Sequence, residues 1–270
     1  MSDNADQPQM TEADRKEFGE RLLAQAFDLW FNPELKRRTE AGLLPNDFAL
    51  FAAQVLFPPE GENLIRLNGE MTGVMLVVAQ RAVEKGEQLM LSDLAEARRY
   101  ELDDADMDCG HFTIIRRGVG WMIDFNFRSG RTKAADMLRL ADQYQAAAVA
   151  CVKSALEGPA VDNLFSACEL AAKAELILHR SSAVKAKTHN PLKSAINAWG
   201  RLRNIDPAFV AIFNLLGQQR ADARYKGAEA AKGLMPSTDD LDLVKAVIDR
   251  GLWQVGRATD CDRHGEPETA

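Results

Sequence analysis

Apolar residues recur along this chain at two periods, and the change from one to the other divides it. Thr11, with Asp14 three residues on, has the form of a capping box, and Phe18, Leu22, Ala26 and Leu29 follow at spacings of four and three. That is the stripe of an amphipathic helix, with these four side chains predicted on its core face. Asn32-Pro33 is expected to break it and to restart a short helix that Gly42 ends. From Phe48 the apolar segments shorten. Val55 to Phe57, Leu64 to Leu67 and Val74 to Ala79 are bounded by Pro58-Pro59, Asn68-Gly69 and Lys85-Gly86, a pattern of strands and turns. Trp121 to Arg128 alternates: Trp121, Ile123, Phe125 and Phe127 face one way, and Met122, Asp124, Asn126 and Arg128 the other. It reads as a half-buried strand paired with His111 to Arg117 across Gly118-Val119-Gly120. Four large side chains on one face need a cover, and the N-terminal helix is the nearest candidate.

Beyond Gly130 the period becomes helical throughout. Met137, Leu140, Tyr144, Ala148 and Cys151 stripe one helix, expected to end near Gly158-Pro159, and Val161, Leu164, Cys168, Ala171 and Ala172 stripe the next. Leu170, Ala174 and Ile177 add apolar surface off that stripe. This second helix is therefore predicted to be buried on several sides, at the centre of a bundle or at a dimer seam. Asn190-Pro191 and Asp206-Pro207 each place a capping side chain before a Pro at the first helical position, so two further helices are expected to begin near 191 and 207. Ser237 or Thr238, with Asp239 and Asp240, opens a fifth, striped by Leu241, Val244, Ile248, Leu252 and Val255.

The predicted class is α+β: a helix-covered antiparallel β domain over residues 11–133, then an all-α bundle of about five helices over 134–257. Residues 1–10 and the acidic tail, 258–270, are expected to be disordered. A 270-residue chain with 46% hydrophobic residues buries enough surface to need no staple, and its four Cys show no C-x-x-C spacing. They read as reduced thiols of a cytoplasmic protein. Residues 1–10 lack the basic and apolar regions of a signal peptide, and no long uncharged apolar run is present, so neither secretion nor a membrane is expected.

Charge adds one asymmetry. The chain is net -7, yet residues 173–232 hold eleven Lys and Arg against four Asp and Glu. Any polyanion is therefore expected at the C-terminal half. Asp104, Asp106 and Asp108 alternate like the first ligands of a calcium loop. Cys109 then replaces the turn glycine and Ile115 the bidentate Glu, so the segment reads as a solvated acidic loop. Cys109 and His111 are two donors, short of the three or four that a transition metal needs. No metal and no cofactor are predicted, and G-x-G-x-x-G, Walker, H-E-x-x-H and G-x-S-x-G patterns are all absent.

Ala167-Cys-Glu-Leu-Ala-Ala-Lys-Ala-Glu-Leu-Ile-Leu178, Thr188-His189 with Leu192, and Ala223-Arg224-Tyr225 together resemble the HEPN domain family. These are bundles of four or five helices found in prokaryotic defence, toxin and nucleotidyltransferase-associated proteins. The resemblance extends over about 134–257 and leaves out the N-terminal half. It implies a homodimer paired through its central helices around a cleft lined by late-helix residues. Ribonucleases of the family carry an Arg, a polar residue and a His four to six residues beyond the Arg. Here Ala221 follows Arg220, Tyr225 follows Arg224, and no His lies between His189 and His264, so that pair is missing. No catalytic residue is assigned.

Arg220 and Arg224 lie one turn apart on a helix, where like charges repel, so an acidic group is expected near them. One reading is a phosphate of RNA or of a nucleotide held in the dimer cleft, with Tyr225 stacking or hydrogen-bonding beside it and Lys173 and Lys187 contributing. The other is an ion pair with Glu169 or Glu175 within the bundle, with Tyr225 anchoring the helix end. Lys173 follows Glu169 by four residues and suits a helix pair, and Lys185 and Lys187 sit in a predicted loop. His189 is expected to pack ahead of the Asn190 cap, Asp206 to cap the next helix, His179 to meet a helix end, and Trp199 and Trp253 to lie in the core.

Three functions follow. The first is a non-catalytic dimeric module that binds RNA or a nucleotide through a basic cleft, in a prokaryotic defence or stress system by family association. The second is a metal-independent endoribonuclease with a degenerate site built from Arg220, Arg224, Tyr225 and His189. The third is a structural dimerisation protein whose β domain binds an unidentified protein partner.

Overall fold

The computed structural model describes residues 11–88, 93–185, 189–225 and 233–260. It has mixed α and β structure and divides between Phe127 and Arg128 into two compact units, a few residues earlier than the sequence suggested.

The first unit opens with α1 (Glu12–Ala26), where Thr11 and Asp14 close the expected capping box. Asn32-Pro33 does not break the helix. Residues Phe27–Phe31 instead form a π turn that leads directly into α2 (Asn32–Glu40), with the Asn32 N–H donating to the Phe27 carbonyl. The wider turn takes up the missing proline donor without ending the rod. It also rotates the buried face. Ala26 and Phe31 enter the core with Leu22, Leu23, Phe27 and Trp30 beside them, whereas Phe18 and Leu29, predicted to be buried, are 49% and 65% exposed.

Four strands form an antiparallel sheet in the order β2 (Leu64–Leu67), β1 (Ala52–Phe57), β5 (Gly110–Arg117) and β6 (Gly120–Asn126). Gly118, at φ +58, supplies the positive φ that a tight two-residue hairpin loop needs at its first position. The helix covers this sheet as expected, through edge-on ring contacts between Trp30 and Phe57 and between Phe27 and Trp121. The cover stops short of the end of β6, and Phe125 and Phe127 remain 42% and 45% exposed.

The sheet's second face carries a polar row. Gln54 pairs with Arg66 on one side and Thr113 on the other, and Thr113 pairs with Asp124. A two-stranded ribbon, β3 (Val74–Ala79) and β4 (Leu94–Glu101), is latched to this row. The Tyr100 N–H donates to Asp124 at 2.5 Å, and its hydroxyl donates to the Thr72 carbonyl at 2.6 Å. Asp106 is not a solvated loop residue: it is 8% exposed and accepts from Arg66 and Thr72. Asp106 alone of the alternating aspartates thus supplies a structural ion pair, Asp104 stays exposed, and no cluster of three or more metal-ligating side chains occurs among the described residues.

In the second unit, α3 (Arg131–Lys153), α4 (Glu157–Leu178), α5 (His189–Arg201), α6 (Pro207–Tyr225) and α7 (Thr238–Asp260) share one core. Gly158-Pro159 does not end α3; it lies in the first turn of α4, where proline's missing N–H costs no bond. α4 is the central helix. Alanines at 160, 167, 171, 172 and 174 let its neighbours approach closely, and it packs against α3, α5, α6 and α7 within one subunit. α5 begins at His189, so Asn190 falls inside its first turn rather than at its cap. Asp206 does cap α6, accepting from the Ala208 N–H at 2.8 Å. Ser237 and Asp240 form a reciprocal cap on α7. No helix among the described residues is long and apolar enough to cross a membrane.

Candidate functional site

The first of the two late-helix arginines is occupied. Arg220 donates from Nε to Asp162 Oδ1 of α4 at 2.8 Å, and its guanidinium lies 4.8 Å from the centre of the Phe165 ring. For Arg220 the acidic partner that like-charge repulsion demanded is therefore Asp162, one turn before Phe165, rather than Glu169 or Glu175. Lys173 is held by Glu169 at 2.8 Å, the helix pair that its spacing suggested. The roles expected of Lys187, and of the side chains of Arg224, Tyr225 and His189, fall outside the described residues.

The polar groups that do converge lie elsewhere in the bundle. A cavity of about 350 Å³ is lined by Arg128, Glu175, His179, Trp199, Asn204, Arg250 and Gln254. Helix ends build it. The Ser129 N–H donates to the Leu178 carbonyl at 3.1 Å, which brings Arg128, just ahead of α3, beside the end of α4. There the chain leaves α4 through a Schellman turn: the Arg180 N–H bonds the Ile177 carbonyl, the Ser181 N–H bonds the Leu176 carbonyl, and Arg180 takes φ +54. α5 ends in the same way, with Arg203 at φ +58, and the turn delivers Asn204 to the cavity wall. Glu175 and His179 on α4, like Arg250 and Gln254 on α7, are four apart and share a face.

His179 does not simply meet the free carbonyls of its helix. Its Nε2 lies 3.5 Å from Glu175 Oε1, and its ring sits 4.5 Å from that of Trp199. Trp199 packs against the bundle core, as expected, and its half-buried ring also lines the cavity, whereas Trp253, also expected in the core, is 56% exposed. Two guanidinium groups, one carboxylate and one imidazole leave the cavity with a positive balance. Arg250 makes no ion pair among the described residues, and Gln254 Oε1 is buried without a hydrogen-bond partner. A surface of this kind holds an anion beside a flat ring.

Cys168 is buried in the core, and burial drives its thiol far above the usual range, so it is no nucleophile at neutral pH. The convergence of these residues escaped sequence reasoning, which weighed Glu175, His179 and Trp199 one by one, because four separate segments supply them. The available signal was the pair of polar i, i+4 couples, Glu175 with His179 and Arg250 with Gln254, in helices that are otherwise striped. Compared with known protein families, curated proteins and solved structures, the chain matches none.

Proposed function

We propose that the helical unit is a non-catalytic module that binds RNA or a nucleotide, as its resemblance to HEPN domains implies, and that this cavity holds the phosphate. The observation that carries the reading is Arg250, which makes no ion pair among the described residues, in one cavity with Trp199 and His179, while Arg220 is already neutralised by Asp162. Cationic contacts with phosphate weaken as salt rises, so affinity for a short RNA or a nucleoside phosphate should fall steeply with ionic strength. Titration calorimetry at low salt tests this. Arg250→Glu should weaken binding about tenfold or more, and Arg220→Ala should leave it nearly unchanged. Equal affinities in wild type and Arg250→Glu would remove the cavity from consideration.

Pairing into a homodimer is proposed from the resemblance alone, because α4 is buried within one subunit and needs no second copy to cover it. Light scattering at several protein concentrations decides that point. One observation favours a second reading, RNA cleavage: an imidazole beside a carboxylate in the same cavity as two guanidinium groups. Incubating mixed RNA with wild type and with His179→Asn separates it from simple binding, since cleavage lost in the variant would make this an enzyme.

A further inference from the structure

We infer that the outer face of α5 is a track for the backbone of a single RNA strand, a conclusion that rests on the nucleic-acid reading above and extends it from one phosphate to several. Charge is one-sided over the whole segment. Residues 176–205 hold six Lys and Arg and no Asp or Glu. Four of the six, Lys185, Lys193, Arg201 and Arg203, are exposed, and none makes an ion pair among the described residues. Other exposed cations of the chain are held by a carboxylate of their own helix, as Arg21 is by Glu17 and Lys36 by Glu40.

The neighbouring elements supply little counter-charge. α6 packs against α5, and from Pro207 to Gln219 it carries no charged residue. The two helices are tied instead by a reciprocal amide pair, in which Asn214 donates to Asn197 at 2.8 Å and Asn197 to Asn214 at 3.3 Å. Asp206, in the turn between them, is committed to the cap of α6. On α4, Glu169 is engaged by Lys173 and Glu175 by His179. Like charges gathered on one surface raise its potential and draw a polyanion. Lys193 and Arg201 stand eight residues apart on α5, about 12 Å along its axis, a spacing that suits separate phosphates. Arg203 is joined to Asn204, so the row of cations runs on to the wall of the cavity. None of the described exposed residues of α5 is aromatic, so the face grips backbone and not bases.

Fluorescence anisotropy of a labelled oligouridylate against the full chain, over a series of salt concentrations, tests this. Lys193→Gln combined with Arg201→Gln should weaken binding about tenfold or more at low salt and reduce the slope of log affinity against log salt by about 1.4, since each phosphate contact on a single strand contributes about 0.7. Lys133→Gln combined with Lys153→Gln removes the same charge from the exposed surface of α3 and should leave both quantities nearly unchanged. Melting curves check that each variant is folded. Equal losses in the two double variants, or a polyglutamate of matching charge that competes as strongly as unlabelled RNA, overturn the inference. RNA binding that Arg250→Glu abolishes and the α5 variant leaves intact also overturns it, while the cavity stands. Failure of both the oligouridylate and UMP to bind at low salt overturns the underlying reading as well.

Discussion

Arg220 reaches from α6 to Asp162 of α4 at 2.8 Å and lies over Phe165 as it does so. Both partners are about three-quarters covered, so the pair is a tie between helices and not a loose surface contact. Removing the arginine forfeits the ion pair and the ring contact together, a loss of about 1–2 kcal/mol. Arg220→Ala should therefore lower the urea midpoint of the helical unit without altering its affinity for nucleoside phosphates. A large loss of affinity at unchanged stability would return the ligand to the late-helix arginines.

Two helix ends carry a removable cost. Ala155, past the end of α3, has φ +52, and Arg203, past α5, has φ +58, each at the left-handed position of a Schellman turn. A side chain there meets the following carbonyl, and glycine does not. Ala155→Gly and Arg203→Gly should each stabilise the unit by about 0.5–1 kcal/mol, seen as a raised midpoint in chemical denaturation. A fall in stability at both sites would contradict these turns.

These ends also show why the sequence could be read only in part. Glycine is the usual mark of a helix stop, and at positions 155, 180 and 203 the chain spells Ala, Arg and Arg, so the stops gave no signal. Gly158-Pro159 gave a false one, since proline is as acceptable in the first turn of a new helix as after an old one. Where turn chemistry and apolar runs coincide, the bounds were legible: Leu64–Leu67 and Val74–Ala79 are strands at the predicted limits. β4 escaped because Glu96, Arg98, Arg99 and Glu101 interrupt any alternation. The cavity escaped for a different reason. Its residues are ordinary in their own segments and meet only once the helices pack.

Gly73 is the tightest point of the β unit. Its φ is +144, and a Cβ added there would lie 2.5 Å from both the Glu101 carbonyl oxygen and the Tyr100 hydroxyl oxygen. An alanine must displace the tyrosine that latches the ribbon to Thr72 and Asp124. Gly73→Ala should cost about 2–4 kcal/mol, through backbone strain and the lost latch together. Hydrogen exchange at the Tyr100 amide should quicken in the variant. Unchanged protection there would mean that the latch does not depend on the close approach.

The last prediction concerns acid. Glu34 accepts from Arg37 Nε and Nη2, both at 2.7 Å, and from Arg38 Nε at 2.6 Å. The bond from Arg37, and then Arg38, pull its pKa down from 4.5 to about 2, against the opposing effect of burial. Arg38 reaches on to Glu70 at 2.5 Å and to the Ile65 carbonyl at 3.0 Å, so this cluster fixes α2 to β2 and the turn after it. In the unfolded chain the carboxyl takes up its proton near pH 4.5, and in the folded chain near 2. The stabilisation is therefore fully present above pH 4.5 and is lost as pH falls toward 2. Arg37 is well exposed, so solvent screening holds the effect to about 1 kcal/mol. Urea denaturation of wild type and Glu34→Gln across this range isolates it from the other carboxylates. The wild-type advantage should be constant above pH 5, shrink below 4.5 and vanish near 2. A difference between the two proteins that stays level down to pH 2 would mean that Glu34 gains nothing from its arginines on folding.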